Sequence, residues 1–212
     1  VHQKAAVLYR KQARFKLITT GKISQKSLLF EDQHLERLRK ASRYFAYPFD
    51  PEILRQKIEA ECQTCDANQD YRLRISLSKS GEIELSRQIL TSLSPSFCEA
   101  ELCLQEADLN QAFTYFKTTH RPHLTLGKQE IIYHNVKGEL LETSIGNLVL
   151  KIAGKLYTPP IRLGILPGIY RQHLLETEQV EEKVLTLADL AQAEAIYGCN
   201  AVRGLYELFI QK

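Results

Sequence analysis

The sequence contains no methionine and no tryptophan, and its 212 residues carry a surplus of only three positive charges. So small a surplus argues against nucleic acid as a partner, because nucleic-acid binding needs a dense basic face. No uninterrupted apolar run approaches the roughly 18 residues of a membrane-spanning helix. The opening segment also lacks an apolar stretch long enough for a secretory signal. We therefore expect a cytoplasmic protein that binds neither nucleic acid nor a membrane.

Cysteine and histidine are present, but not in the spacing of a typical metal site. Cys62-x-x-Cys65 and Cys98-x4-Cys103 could supply four thiolates to zinc, yet the second spacing is loose and no histidine follows in register. His120-x-x-His123 has no carboxylate in register and is more typical of a surface pair. An odd number of cysteines without an export signal favours reduced thiols. We predict no metal site.

Common signatures of other enzyme classes are missing as well. The sequence contains neither G-x-G-x-x-G after a predicted strand nor the phosphate loop G-x-x-x-x-G-K-[ST]. It also contains neither H-E-x-x-H nor G-x-S-x-G. Nothing in these patterns indicates a nucleotide, a catalytic zinc ion or a serine triad.

The periodicity of apolar residues predicts helices and strands in separate blocks. Residues 30–45 predict an amphipathic helix, and Asp50-Pro51 predicts the start of another, with Asp50 as N-cap. We expect the buried face of this second helix to contain Ile53, Leu54, Ile58 and Cys62. Strands are predicted over 15–23, 71–77, 82–85, 100–105, 131–136, 139–143, 146–152, 155–158 and, as the final buried strand, 194–199. Two further helices are predicted, over 168–177 and after the capping box at Thr186.

This order of elements predicts an α+β fold, because neighbouring strands pair through hairpins instead of alternating with helices. The composition changes in the polar stretch that follows the first six predicted elements. We therefore predict an N-terminal α+β domain over 1–108, a linker over 109–116 and a C-terminal domain over 117–212.

Three features of the second half are suited to one cofactor. Lys117 follows two aromatic residues, and a desolvated lysine loses its proton readily and can form a Schiff base. Glu142 follows two leucines, and an acid in an apolar strand can pair with a pyridinium nitrogen. Gly168 precedes a predicted helix, whose first N–H groups can bind a phosphate. Each residue alone also has a structural explanation, but together they match the needs of pyridoxal 5′-phosphate (PLP).

The wider pattern around these residues resembles the class IV aminotransferase-like enzymes, which are the fold type IV group of PLP proteins. It comprises Glu142, Ser144, Asn147-Leu148, Leu156-Tyr157-Thr158 and Leu166–Arg171. The resemblance implies a two-domain fold like that of D-amino acid aminotransferase, with a small N-terminal α/β domain and a larger, β-rich, PLP-binding C-terminal domain. It also implies a homodimer.

Within this family, the segments K-T-T-x-R at Lys117 and C-N-x-x-R-G at Asn200 are most similar to the 4-amino-4-deoxychorismate lyases. These enzymes eliminate pyruvate to give 4-aminobenzoate for folate biosynthesis. An aminotransferase of D- or branched-chain amino acids is the alternative, as is a homologue that has lost its activity. Thr19 departs from the family, because many relatives carry glutamate at that position.

The resemblance also implies roles for individual residues. Lys117 would form the Schiff base with PLP, Glu142 would face the pyridine nitrogen, and Arg37 would contact the phosphate. The remaining phosphate contacts would come from the backbone N–H groups of Ile169 and Tyr170 and from the turn at Asn200 and Ala201.

Substrate recognition requires a cation for a carboxylate. Arg121 follows Lys117 closely, and Arg72 and Arg74 share one face of a predicted strand. Arginine binds carboxylates through paired hydrogen bonds, although strand arginines are mostly solvated. We consider these three residues candidates for substrate binding.

Overall fold

The computed structural model describes residues 15–91, 97–105, 112–125 and 129–210. The chain divides into two compact units, Val1–Thr91 with Phe116–His120 and Ser92–Tyr115 with Arg121–Lys212. This division differs from the predicted domains 1–108 and 117–212. Within the predicted linker, residues 109–111 lie outside the described residues, and the short helix α3 (Ala112–Tyr115) follows them. In the described part of the chain, no helix is both long and apolar enough to span a membrane.

The first unit contains a four-stranded antiparallel sheet and two helices. The strands are β1 (Leu17–Ser24), β2 (Ser27–Leu28), β3 (Tyr71–Leu77) and β4 (Ile83–Ile89), in the order β2-β1-β3-β4. The helices are α1 (Glu31–Phe45) and α2 (Pro51–Gln63). One face of the sheet is buried because apolar residues alternate along β3, where Leu73, Ile75 and Leu77 have almost no exposed surface. The predicted helices and strands of this unit are confirmed.

Helix α2 begins as its sequence predicts, but its buried face is narrower. The Asp50 side chain accepts hydrogen bonds from the N–H groups of Glu52 and Ile53, and Pro51 occupies the first turn. Leu54, Ile58 and Cys62 are buried, whereas Ile53 is 48% exposed. The prediction for Ile53 was wrong, because this residue lies in the first turn, on the side that faces the solvent.

The segment Phe116–His120 belongs to the first unit because it continues the hydrogen bonding of β1. The N–H of Ile18 donates to the carbonyl of Lys117 at 3.0 Å, and the N–H of Thr119 donates to the carbonyl of Lys16 at 2.9 Å. The Phe116 ring lies 4.6 Å from the Tyr44 ring of α1. Lys117 is therefore held by the first unit, and not by the C-terminal segment that was predicted to contain it.

The second unit is built around an eight-stranded sheet. Its strands are β5 (Phe97–Leu104), β6 (Glu130–His134), β7 (Leu140–Thr143), β8 (Asn147–Ile152), β9 (Lys155–Thr158), β10 (Glu181–Glu182), β11 (Ala195–Asn200) and β12 (Gly204–Ile210). The strand order is β10-β9-β8-β11-β12-β5-β6-β7, and β7 also pairs with β8. Because of this last pairing, six strands from β8 round to β7 close into a barrel.

The second unit also contains an apolar barrel interior and two short helices that follow β9 in the chain. Ile132, Leu140, Leu148 and Leu150 are fully buried in one cluster. Helix α4 (Ile169–Glu176) and helix α5 (Leu187–Gln192), with its capping box at Thr186, are confirmed. The prediction that 194–199 forms the final strand was wrong, because β12 follows β11 and pairs with it in antiparallel fashion.

Candidate functional site

In the first unit, the two predicted cofactor residues Lys117 and Arg37 lie near a buried histidine. Burial, together with the positive charges of Arg37 and Lys117, lowers the pKa of His34 to about 3. His34 Nδ1 and Thr19 Oγ1 share a hydrogen bond of 2.6 Å. A Cβ atom at Gly21 would overlap His34 Nε2, so only glycine fits there. The imidazole thus remains neutral beside two cations at ordinary pH.

The neutral state of His34 predicts how stability depends on pH. Because its folded pKa of about 3 lies below the ordinary 6.5, the unfolded chain binds a proton between these values that the folded chain does not. The contribution of His34 to the free energy of unfolding is complete above pH 6.5. As the pH falls below 6.5, up to about 1.4 kcal/mol of this free energy is lost per pH unit. Urea unfolding from pH 7 to pH 4 should show a larger loss for the wild type than for His34→Gln. Equal losses would contradict the assignment.

The same unit carries the two candidate arginines of β3. Arg72 and Arg74 are half-buried on the polar face of the sheet, and Arg72 donates a hydrogen bond to Gln88 Oε1 at 3.2 Å. Burial lowers the pKa of Arg72, and the neighbouring charge of Arg74 adds to this effect. Two like charges held close together on a partly desolvated face favour an anion, so this pair is suited to a carboxylate.

In the second unit, Glu142 lies on β7 with only 2% of its surface exposed. It is paired across the hairpin with Asn147. Arg121 lies within electrostatic range: burial lowers the pKa of this guanidinium, and the negative charge of Glu142 opposes that change. The Nε atom of Arg121 is buried and makes no hydrogen bond to the described residues. A buried carboxylate and a partly desolvated guanidinium therefore occur together.

Asn147 joins the Glu142 hairpin to the start of helix α4. Its side-chain N–H donates to the carbonyl of Leu166 at 2.9 Å, and its Oδ1 atom lies so close to Gly168 that a Cβ there would overlap it. Gly168 is the N-cap of α4. Only glycine therefore fits at this position without overlapping Asn147. The N–H groups of the first turn, at Ile169 and Tyr170, are suited to an anion.

The turn after β11 lies next to the same helix. Asn200 Oδ1 accepts hydrogen bonds from the N–H groups of Val202 at 3.0 Å and Arg203 at 2.9 Å. A Cβ at Gly204 would lie 3.3 Å from the hydroxyl of Tyr170. The Tyr170 side chain of α4 therefore packs against the turn that contains Asn200 and Ala201, and the predicted phosphate contacts of both segments belong to the second unit.

Two arginines that belong to the sequence motifs are paired with other residues of the second unit. Arg171 is 1% exposed, donates to the carbonyl of Pro159 at 2.8 Å and forms an ion pair with Glu182. Arg203 donates to Cys98 Sγ at 3.2 Å, and its guanidinium lies 5.2 Å from the centre of the Tyr206 ring. These contacts fix α4 and the turn after β11 within the second unit.

Substitution of Gly168 tests the proposed anion site. We expect Gly168→Ala to destabilise the protein by about 1–3 kcal/mol, because the added methyl group displaces Asn147. PLP binding should weaken by about tenfold, since contacts of an anion with a helix N-terminus contribute roughly 1–2 kcal/mol. The matched variant is Gly154→Ala, whose Cβ would meet nothing within 4 Å although its φ is +76°. It should lower stability slightly and leave PLP affinity unchanged; equal affinities of the two variants would contradict the assignment.

Sequence reasoning overlooked His34 and a second buried acid, Glu130, which is 6% exposed on β6. His34 continues the apolar stripe of α1, and Glu130 directly precedes an apolar strand, so both positions carried a weak signal of burial. All five cysteines carry free thiols. Among the described residues, no group of three or more His, Cys, Asp or Glu side chains could hold a metal ion.

Comparisons with known proteins give a consistent result. The family model described as Amino-transferase class IV matches residues 16–208. A Schizosaccharomyces pombe protein, named by inference as an aminodeoxychorismate lyase, is 26% identical over 188 residues, which are 80% of this chain and 79% of that protein.

Two crystal structures are similar over nearly the whole chain. A protein of Mesorhizobium loti, named by inference as an amino-acid aminotransferase, is 26% identical with a TM-score of 0.83, and the match covers 93% of this chain and 100% of that chain. A protein of Haemophilus somnus 129pt, named by inference as a 4-amino-4-deoxychorismate lyase, is 25% identical with a TM-score of 0.73 and coverages of 92% and 100%.

Proposed function

The chain belongs to the class IV aminotransferase family of PLP-dependent enzymes, and from this premise we propose that it is a 4-amino-4-deoxychorismate lyase. The predicted fold of the D-amino acid aminotransferase type is confirmed by the same similarities. The proposed reaction releases pyruvate and leaves 4-aminobenzoate, a precursor for folate biosynthesis. The name of the Schizosaccharomyces pombe relative and the segment K-T-T-x-R at Lys117 support this reaction.

The residues present fit PLP in the chemistry of their donor groups. In the second unit, the buried Glu142 carboxylate is suited to the ring nitrogen. The first turn of α4 is suited to the phosphate, and there glycine is the only residue that fits at the N-cap. In the first unit, Lys117 supplies the amine that would hold the cofactor, and Arg37 supplies a guanidinium for the phosphate.

Within the proposed reaction Lys117 and Glu142 have different tasks. PLP, when bound, supplies an electron sink for the substrate. Lys117 acts as general base and takes the proton from the substrate ring carbon that carries the amino group. Glu142 would pair with the ring nitrogen of the cofactor and keep it protonated. The loss of pyruvate is favourable because the remaining ring becomes aromatic.

The observation that carries the lyase proposal is the placement of Arg121. This arginine of K-T-T-H-R lies within electrostatic range of the acid Glu142, and its Nε atom is buried without a hydrogen bond among the described residues. A guanidinium that is partly removed from water in this way favours a carboxylate partner. Arg72 and Arg74, in the first unit, are further candidates for binding a substrate carboxylate.

A coupled assay tests the proposal. Purified protein loaded with PLP is supplied with 4-amino-4-deoxychorismate and no keto acid, and pyruvate and 4-aminobenzoate are both measured. Equimolar formation of the two products is expected. An amino transfer that requires 2-oxoglutarate would contradict the lyase reaction and support an aminotransferase, which the similarity to the Mesorhizobium loti structure favours. A protein that binds PLP without either activity would support an inactive homologue.

The family resemblance also leads us to propose a homodimer. Sedimentation of the purified protein at micromolar concentration tests this directly. A mass of about two chains is expected, whereas a single chain of 24.3 kDa would contradict it.

A further inference from the structure

Glu130 is a buried acid that the proposed reaction does not use. It lies on β6, and its Oε1 atom accepts hydrogen bonds from the hydroxyl of Tyr206 on β12, at 2.7 Å, and from the hydroxyl of Thr143 on β7. Its Oε2 atom is buried and bonds to none of the described residues. One carboxylate oxygen thus joins three strands of the barrel.

The protonated hydroxyl groups determine which atoms donate hydrogen bonds in this network and which atoms accept them. Burial raises the pKa of Tyr206, and the charge of Glu130 raises it further, so the phenol stays protonated and donates. Burial also raises the pKa of Glu130, while the two hydroxyl groups and the nearby Arg203 oppose that change. Because the Thr143 hydroxyl gives its proton to Glu130, its oxygen is left to accept the Gly146 N–H at 2.9 Å. The turn that follows Glu142 is therefore held from inside the barrel.

The same network reaches the turn after β11. A Cβ at Gly198 would lie 2.5 Å from the Tyr206 ring, and one at Gly146 would lie 2.6 Å from the carbonyl of Cys199. Arg203 lies over the other side of the contact, 5.2 Å from the centre of the Tyr206 ring. Tyr206 is thus packed tightly between the Glu142 hairpin and the end of β11, and Glu130 fixes its hydroxyl.

We propose that Glu130 is a positioning residue, which orients Glu142 for the cofactor through Thr143 and Tyr206. Thr143 directly follows Glu142 in the chain, and its two hydrogen bonds determine where the hairpin turns. The inference rests on the assignment of Glu142 to PLP, but not on the choice between lyase and aminotransferase. Its test therefore measures the affinity for PLP, and not turnover.

A double-mutant cycle separates a positioning role from a general effect on folding. Glu130→Gln replaces the carboxyl group by a neutral amide, whose oxygen is a weaker acceptor for the hydroxyls of Thr143 and Tyr206. We expect PLP to bind about tenfold more weakly to this variant, because weaker hydrogen bonds hold the Glu142 hairpin less firmly. In a protein that already carries Glu142→Gln, the same change should alter the affinity less than about twofold. Glu101→Gln, an exposed acid on β5, is the matched control and should have no effect.

Each outcome decides the proposal. A tenfold loss in both backgrounds, or no loss in either, would overturn it, because Glu130 would then act without Glu142. If Glu130→Gln does not fold, Tyr206→Phe takes its place in the cycle, with an expected loss of about fivefold that also vanishes beside Glu142→Gln. A wild-type chain that does not bind PLP would overturn the cofactor assignment itself. A wild-type chain that binds PLP, with a variant that binds it equally well, would overturn only the role of Glu130.

Discussion

Lys117→Ala is expected to abolish turnover, with a fall in kcat of at least about 10³-fold, because the variant lacks the amine proposed both to hold PLP and to act as general base. The visible absorbance band of the bound cofactor should also shift or disappear. Lys117→Arg keeps the positive charge but cannot form a Schiff base, so it should be equally inactive. The measurement is the steady-state rate together with an absorption spectrum of each purified variant after incubation with PLP.

The control for this substitution must remove a lysine without touching the site. Lys40 lies on the exposed side of α1, near Glu36, so Lys40→Ala removes an amine that lies away from the proposed site. It should retain wild-type activity and spectrum. If Lys117→Ala retained a rate within about tenfold of wild type, Lys117 would not be the catalytic base, and the role drawn from the family resemblance would be wrong.

Glu142→Gln is expected to have the second-largest effect, with kcat lower by roughly 10²–10³-fold. The amide is neutral and cannot keep a proton on the pyridine nitrogen, so the charge that develops during the reaction is no longer stabilised. The protein should still react with PLP through Lys117, because the amine is supplied by a different part of the chain. The rate and the absorption maximum of the bound cofactor are measured for wild type and variant.

The control for Glu142→Gln is a carboxylate elsewhere in the same unit. Glu101→Gln changes an exposed acid on β5 and should leave both rate and spectrum unchanged. Because the charge of Glu142 acts on the partly buried Arg121, unfolding in urea is measured in parallel to separate a loss of stability from a loss of rate. A Glu142→Gln protein that is folded and fully active would show that this acid does not face the cofactor.

Local sequence signals predicted most of the elements of the fold. Helix α2 was predicted from the N-cap Asp50 and Pro51, and the structure contains the hydrogen bonds that this pair implies. The strand at 71–77 was predicted from strict alternation, which holds because one face of the sheet is buried. Strand β12 was overlooked because its apolar and polar residues do not alternate regularly along the sequence.

Contacts between distant parts of the chain could not be predicted in this way. The backbone of Lys117 bonds to β1, and the hydroxyl of Thr119 accepts the N–H of Lys16 from 103 positions earlier in the chain. Glu130 meets Tyr206, which follows it by 76 positions. No sequence periodicity indicates such pairs, so the unit that holds Lys117 and the contacts of Glu130 became visible only in the structure.

The expected roles of the site residues were inferred instead from a family motif, whose different residues are separated along the sequence. Glu142, Asn147 and Gly168 are separated in sequence, but each was placed by its match to a family motif. The structure adds the physical reason for two of them: Asn147 bonds to the carbonyl of Leu166, and only glycine leaves room for its side chain at position 168. The motif therefore contains residues needed for packing as well as residues suited to binding the cofactor.

The most direct test of the account asks which lysine reacts with PLP. The purified protein is incubated with PLP, reduced with borohydride, digested with a protease, and analysed by mass spectrometry. We expect one phosphopyridoxyl group per chain, located on the peptide that contains Lys117, and no such label in Lys117→Arg. A label on another lysine, or no label on a folded wild-type protein, would contradict the assignment of Lys117 and with it the proposed function.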